Sequence, residues 1–454
     1  MNITENKKIV AIALPLIIQQ LSLQMKMWVD NAMLGHVNPM YFSAIGNVMV
    51  PYHVALSVIS AICGGTTILI AQSMGAKNEE KAKTYGTHSF VGNSILPILA
   101  FLFFFLVPDL LFRFMGVQEP ILERSTAYLR IFAFTFLFVG PVTTAISIMQ
   151  GIGVTKIIMI GGLISNMLNI LLNWLLIFGN LGFSEMGLVG AALSATISMG
   201  VNGLIITGYL FLSKKIPFKF KILEIMGFRF RIYKEVLALG LPSSLEFALW
   251  NVGNLIVLTF LNQLNMMAAG IYTLIFSIEI FPVLLSMGFA NAAVTLVGQR
   301  IGENKERQAI IVGFKCLGFS LLVAVAIIVV FLTIPEQILG IFTDDSNFIA
   351  QTLGYLLIVS FTILPKTINN VIGLSIRGLG DAKWMLYSQI FGTVFVVTVS
   401  YLLVFVAGMG LMGVFVTFLI DESIRGIVNS LRFWKGREVF FLKPFGRESY
   451  HLES

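Results

Sequence analysis

The residues able to do chemistry in this chain are few, and apolar sequence surrounds each of them. Asp30 closes the run IIQQLSLQMKMWVD, Asn169 and Asn173 stand four apart in NMLNILLNW, and Thr196 lies in GAALSAT. One carboxylate among amide and hydroxyl oxygens suits a proton or Na⁺, since hard cations take oxygen ligands. Two plainer roles stay open. Lys26, one helical turn before Asp30, is placed to pair with it or to snorkel, and Asn and Thr commonly serve hydrogen bonds between membrane helices. Further on, Glu246 and Lys366 are of opposite sign, and Glu279 is a third acid in apolar surroundings. An ionisable side chain in such a run is costly unless it faces a polar cavity or a partner, which makes each a functional candidate.

The elements that position these groups follow from composition. With 57% hydrophobic and 12% charged residues and a mean hydropathy of +0.89, the 454-residue chain reads as an all-α polytopic membrane protein. Apolar runs of the length a bilayer requires fall at 9–33, 43–72, 86–108, 125–149, 157–179, 187–213, 236–261, 269–298, 311–334, 349–376, 384–407 and 410–432. Twelve transmembrane helices are therefore expected. At 1.5 Å per residue, Asp30 lies roughly 31 Å into the first span, and Asn169 and Asn173 lie roughly 18–24 Å into the fifth. Glu246 and Lys366 both lie about 15 Å from one side by the same rise. Equal depth and opposite sign predict a Glu246–Lys366 ion pair, which would relieve the burial of each charge.

The chain also repeats itself at a constant offset of 227 residues, aligning Pro15 with Pro242, Gln72 with Gln299, Gly75 with Gly302, Gly151 with Gly378 and Gly153 with Gly380. The repeat predicts two pseudo-symmetric six-helix lobes, at 1–213 and 236–454, joined by a basic linker at 214–235. An amphipathic surface helix is one form that linker could take. Lys and Arg cluster before the first span, after the even-numbered spans and in the linker, and the loops at 180–186, 262–268 and 335–348 have none. The positive-inside rule then places both termini and the linker in the cytoplasm, with the protein in the cell's inner (plasma) membrane. The net charge of +7 reflects this topology and does not call for nucleic acid. The first span is too long for a signal h-region and should persist as a helix. Cys63 and Cys316 define no disulfide framework. Phosphate loops, zinc-ligand spacings and nucleophile elbows are missing from the sequence, so an enzyme is not expected.

At these residues a family resemblance emerges. The first span, with an apolar-Pro start and a V-D-x-x-x-x-G close, resembles the opening helix of the multidrug and toxic compound extrusion family. The runs AQSMGAKNEEKA and VGQRIGENKERQA resemble the loops after the second helix of each lobe, NMLNILLNWLLIFG and GLVGAALSATIS the fifth and sixth helices, and IRGLGDAK the end of the tenth. The resemblance implies alternating access and efflux of amphipathic organic, mainly cationic, compounds in exchange for H⁺ or Na⁺. It also implies a cation site at Asp30, Asn169, Asn173 and Thr196. DinF-like members often carry a second aspartate where this chain has Asn173, which favours a proton while leaving Na⁺ open. The acids of the NorM-like branch on the seventh and tenth helices are not matched, since Lys366 stands at the tenth-helix position. A DinF-like or neighbouring bacterial branch fits better.

Met and aromatic surfaces repack around varied ligands. Met27, Met33, Tyr52, Trp250 and Phe276, with Lys26 and Glu279, are the candidates to line a cavity. A monomer is expected, with small amphipathic molecules and membrane lipids as partners, no cofactor beyond the coupling ion and no firm metal site. A lipid-linked-intermediate flippase of the same superfamily is the alternative within transport. An intramembrane enzyme or a receptor-like scaffold is the alternative outside it.

Overall fold

The computed structural model describes the chain except residues 1–2, 38–39, 120, 221–223, 225–226, 265 and 437–454. Part of the expected linker, with Lys221, and the tail beginning at Arg437 lie outside the described residues. The first repeat consists of α1 (Ile3–Val37), α2 (Met40–Gly75), α3 (Glu79–Leu106), α4 (Pro108–Phe114), α5 (Ile121–Phe132), α6 (Thr135–Ile152), α7 (Lys156–Leu176) and α8 (Gly187–Leu212). The second consists of α9 (Phe230–Leu264), α10 (Met266–Gly302), α11 (Glu306–Thr333), α12 (Pro335–Gly340), α13 (Ser346–Leu379), α14 (Ala382–Tyr401) and α15 (Leu411–Lys435). There are no strands among the described residues.

Eleven of the described helices are long and apolar enough to cross a membrane. The twelfth, α15, has the length, but Asp421, Glu422, Arg425 and Arg432 lower its hydropathy. The chain is thus a twelve-helix membrane protein, as its apolar runs predict. Two spans depart from their expected form. The fourth is divided into α5 and α6, where the Thr135 hydroxyl donates to the Phe132 carbonyl at 2.7 Å, a local bond that competes with the helical ladder. The seventh starts at Phe230, inside the expected linker, so α9 is longer than a bilayer needs.

The 227-residue offset recurs in atomic detail. Lys77 and Asn304, at equivalent positions, both take left-handed backbone (φ 56° and 59°) in the turns after α2 and α10. Gly153 and Gly380 end α6 and α13 in the same conformation, each amide closing on carbonyls of the preceding turn; an L side chain there would be strained. A Cβ on Gly151 would lie 2.9 Å from the Thr67 carbonyl, and one on Gly378 would lie 3.0 Å from the Val294 carbonyl. Thr67 and Val294 are themselves 227 apart, so both repeats use glycine to bring the same two helices into contact.

Two compact units result, Leu14–Ser244 and Leu245–Ser454 with Met1–Ala13. The boundary between them falls inside α1 and inside α9, so the first helix of each repeat begins in the other repeat's unit. In the second unit, the start of α1 is held by Glu5, which pairs with Arg300 at 3.3 Å and with Lys315, and by Lys8, which donates to Gln299 at 3.0 Å. In the first unit, the start of α9 is held by Tyr233, whose hydroxyl donates to Asn93 at 3.0 Å, and by Ser244, which donates to the Val58 carbonyl at 3.1 Å. Gly65 and Gly240 let α2 and α9 cross closely, because a Cβ on Gly240 would lie 2.5 Å from the Ile62 carbonyl. Each unit has its own apolar core, one around Val48, Phe112, Leu129 and Phe136, the other around Val257, Leu261, Leu356 and Val414.

Candidate functional site

Asp30 lies on α1 seven residues before its end. Its Oδ2 is 2.9 Å from Lys26 Nζ, the i,i+4 partner one turn earlier. Its Oδ1 accepts a hydrogen bond from Asn173 Nδ2 at 2.7 Å, and the same amide nitrogen is 3.5 Å from Asn169 Oδ1. Both asparagines are buried, and their four-residue spacing puts them on one face of α7, toward α1. Two polar atoms in this group have no hydrogen-bond partner, Asn173 Oδ1 and Asn169 Nδ2. Unpartnered buried polar atoms are uncommon and mark a place where a donor or acceptor can arrive.

Thr196 does not join the group. Its hydroxyl donates to the Ala192 carbonyl at 2.9 Å and toward the Ile131 carbonyl at 3.3 Å. A helical Thr readily bonds back to residue i−4, and Ile131 offers a further acceptor beside the break between α5 and α6. Tyr52 departs from its expected place as well. It is buried in the apolar core with its ring 4.6 Å from that of Phe132 and 4.9 Å from that of Phe136, so it packs the unit's core. Met33 packs partly buried against the same core. Met27 is half-buried on α1.

In the second unit the expected Glu246–Lys366 pair is replaced by two others. Glu246 pairs with Arg377 at 2.5 Å, and Lys366 pairs with Glu279 at 2.9 Å. The expectation failed because it used depth alone. Lys366 and Arg377 are eleven residues apart on α13, which at about 100° per residue returns to nearly the same face three turns on. Either cation therefore suits a partner on that side, and the lower one takes Glu246.

Trp250, Phe276, Glu279 and Lys366 line a cavity in this unit, together with Tyr272 and, from α15, Asp421 and Arg425. Of the expected cavity residues, Trp250, Phe276 and Glu279 are brought together, with Lys366 added to them. Asp421 Oδ2 takes Arg425 Nε at 3.0 Å and Nη2 at 2.6 Å, and Arg425 Nη2 is also 3.3 Å from Glu422. Arg425 Nη1 donates to Gln389 at 3.0 Å. A polar ladder continues along the same face of α15. Asn369 bridges Glu422 (2.9 Å) and Asn429 (2.8 Å), Trp384 donates to Asn429 at 2.9 Å, and Arg432 stacks over Trp384 while pairing with Asp381 at 2.8 Å. Sequence reasoning missed this cluster. Its signal is the spacing Asp421, Arg425, Asn429, Arg432, one polar stripe at helical periodicity in the last apolar run.

Comparison with known proteins settles the family. The MatE family model matches residues 15–175 and again 242–402, a pair of matches separated by the internal offset of 227. The chain belongs to the MatE family. Its members are transporters, and this protein is a membrane transporter, not an enzyme. An uncharacterized transporter of Bacillus subtilis, YisQ, is 26% identical over 412 residues, covering 90% of this chain and 89% of the relative. A probable multidrug resistance protein NorM of Thermotoga maritima is 25% identical, covering 95% and 92%, and a multidrug export protein MepA of Staphylococcus saprophyticus is 27% identical, covering 83% and 81%. Among solved structures, MATE in the straight conformation superposes with a TM-score of 0.88 at 22% identity, covering 95% of this chain and 96% of that one. An outward-facing multidrug resistance MATE transporter of the MOP superfamily matches with a TM-score of 0.88 at 21% identity, covering 95% of each. These likenesses establish the twelve-helix MatE fold.

Proposed function

We propose that this MatE protein is a secondary active antiporter that exports amphipathic organic compounds, chiefly cations, and is driven by protons taken up at Asp30. The observation that carries the reading is the environment of one carboxylate: Asp30 lies between Lys26 Nζ and Asn173 Nδ2, beside a carbonyl oxygen, Asn173 Oδ1, that lacks a donor. An ionised Asp30 accepts from both neighbours. A protonated Asp30 loses its attraction to Lys26 and becomes a donor, for which Asn173 Oδ1 is an acceptor after the amide turns. The two protonation states therefore favour different contacts between α1 and α7, and a difference of that kind lets an ion shift a conformational equilibrium. A proton fits this environment better than Na⁺. Lys26 already places a positive charge on the carboxylate, Asn173 presents its nitrogen, and Thr196 is engaged elsewhere.

The names of the NorM and MepA relatives support a multidrug substrate range. In this reading the repeats at 1–213 and 236–454 work by alternating access, as a monomer in the cell membrane with both termini cytoplasmic. Proteoliposomes loaded with a fluorescent cationic dye test it. A pH gradient alone, in Na⁺-free buffer, should drive dye movement, and Asp30→Asn should abolish it while the protein stays folded and inserted. Undiminished export by Asp30→Asn, or export driven by a Na⁺ gradient alone, would overturn the assignment.

A further inference from the structure

The charge count of the second unit's cavity does not balance. Three carboxylates, Glu279, Asp421 and Glu422, meet two cations, Lys366 and Arg425, at 2.6–3.3 Å. Both cations are thereby committed. Around this cluster the remaining ionisable groups among the described residues are paired or neutral: Glu246 of α9 with Arg377 of α13, Asp381 with Arg432 at the far end of α15, and the hydroxyl of Tyr272 on α10, which donates to Asn254 at 3.3 Å. One negative charge is left over in the interior of an apolar bundle, where an uncompensated charge is expensive.

The atoms identify where the missing positive charge belongs. Asp421 is 2% exposed, and its two oxygens differ. Oδ2 carries both contacts from Arg425, whereas Oδ1 is buried without any hydrogen-bond partner. The space beside Oδ1 is kept by Gly392, where a Cβ would lie 3.0 Å from Oδ1 and 2.7 Å from Arg425 Nε. Glu422 offers no such vacancy, because Asn369 donates to one of its oxygens and Arg425 contacts the other. Glu279 is held by Lys366.

We infer that Asp421 is a second proton-binding carboxylate of this transporter, carrying on Oδ1 the proton that brings the Glu279–Lys366–Asp421–Glu422–Arg425 cluster to neutrality. The proton comes from water as hydronium and returns to water, so the step changes the cluster's charge by one and breaks no other bond. A proton is favoured over Na⁺ because a hard cation needs several oxygen ligands. Next to Asp421 is a guanidinium, which has five donors and no acceptor. The inference is independent of Asp30, which lies in the other unit.

Infrared difference spectroscopy of the purified full chain in lipid nanodiscs tests it. In Na⁺-free buffer near neutral pH, the wild type should show a protonated-carboxyl C=O band that shifts in D₂O and disappears as pH is raised. Asp421→Asn should lose that band and fold as well as the wild type, since the amide leaves the cluster neutral. Asp421→Glu should keep a band at a displaced frequency. Asp30→Asn should retain the Asp421 band while losing export, which separates failure of this inference from failure of the Asp30 reading. The proposal is overturned if the band keeps its full amplitude in Asp421→Asn, if no band exists in the wild type, or if Asp421→Asn fails to fold. It is overturned equally if adding Na⁺ abolishes the wild-type band at constant pH, which would assign the site to that ion.

Discussion

The two repeats have one skeleton and two chemistries. Where the second repeat has Glu279, Lys366, Asp421, Glu422 and Arg425, the first has Tyr52, Val139, Ser194, Ala195 and Ser198 at the equivalent positions. In the other direction, Lys26 and Asp30 correspond to Gly253 and Val257, and Val257 is wholly buried in an apolar core. Helix ends, left-handed turns and glycine contacts are duplicated, but no charged residue of either cluster is. Backbone geometry therefore tolerates duplication because it depends on small residues at helix crossings and turns, whereas charge has to be balanced locally and was placed in each copy separately.

The largest effect that would separate the copies is on stability. Arg425→Gln strands Asp421, Glu422 and Glu279 with a single cation, and breaking a buried pair of this kind costs about 3–5 kcal/mol. Its thermal midpoint in detergent should fall more than that of Lys26→Gln, which removes a single local i,i+4 contact between side chains about one-fifth exposed. Equal midpoints would break the contrast between a structural network and a local pair. The duplicated skeleton predicts the opposite pattern for Gly151→Ala and Gly378→Ala. Each Cβ meets a carbonyl on the facing helix, each should cost about 1–3 kcal/mol by overpacking, and the two losses should agree. A large inequality would show that the repeats pack differently.

Smaller still are the pairings within the second unit. A double-mutant cycle on Glu246→Gln and Arg377→Gln, read by thermal unfolding, should give a coupling of about 1 kcal/mol or more, and so should one on Glu279→Gln and Lys366→Met. The cycle on Glu246→Gln and Lys366→Met should come out near additive. Smallest is the turn after α2, where Lys77→Gly should gain about 1 kcal/mol by relieving left-handed strain. Asn304→Gly should gain little, since asparagine tolerates that conformation. A gain at Asn304 equal to that at Lys77 would contradict the assigned difference between the turns.

How far this was legible before the structure depended on the kind of signal. The 227-residue offset, the twelve apolar runs and the glycine landmarks are read from residue type alone, and the helices follow them closely. The contact between Asp30 and Lys26 is local, one turn along a single helix, and Asn173 on an i,i+4 face was already within reach. Nonlocal pairing was not. Glu246 and Lys366 matched in depth, but depth leaves rotation about the axis and the start of α9 undetermined, and Arg377 competes from the same face. Thr196 was misplaced because a hydroxyl can satisfy itself on its own helix. Asp421, Glu422 and Arg425 escape a reading by average hydropathy, which hides a narrow polar stripe in an apolar helix.

That stripe has a bearing on how the protein reaches the membrane. Taken by itself, α15 is a poor passenger for lateral release into lipid, since each Asp or Arg near a helix centre costs about 2.5–3.5 kcal/mol on insertion scales. Beyond the pairing of Arg425 with Asp421 and Glu422 inside α15, its polar groups meet Asn369 on α13, Gln389 on α14 and Asp381 at the cap of α14, and all of these are synthesised earlier. This helix is therefore built to enter against helices already in place, so that its insertion and closure of the second unit become one event.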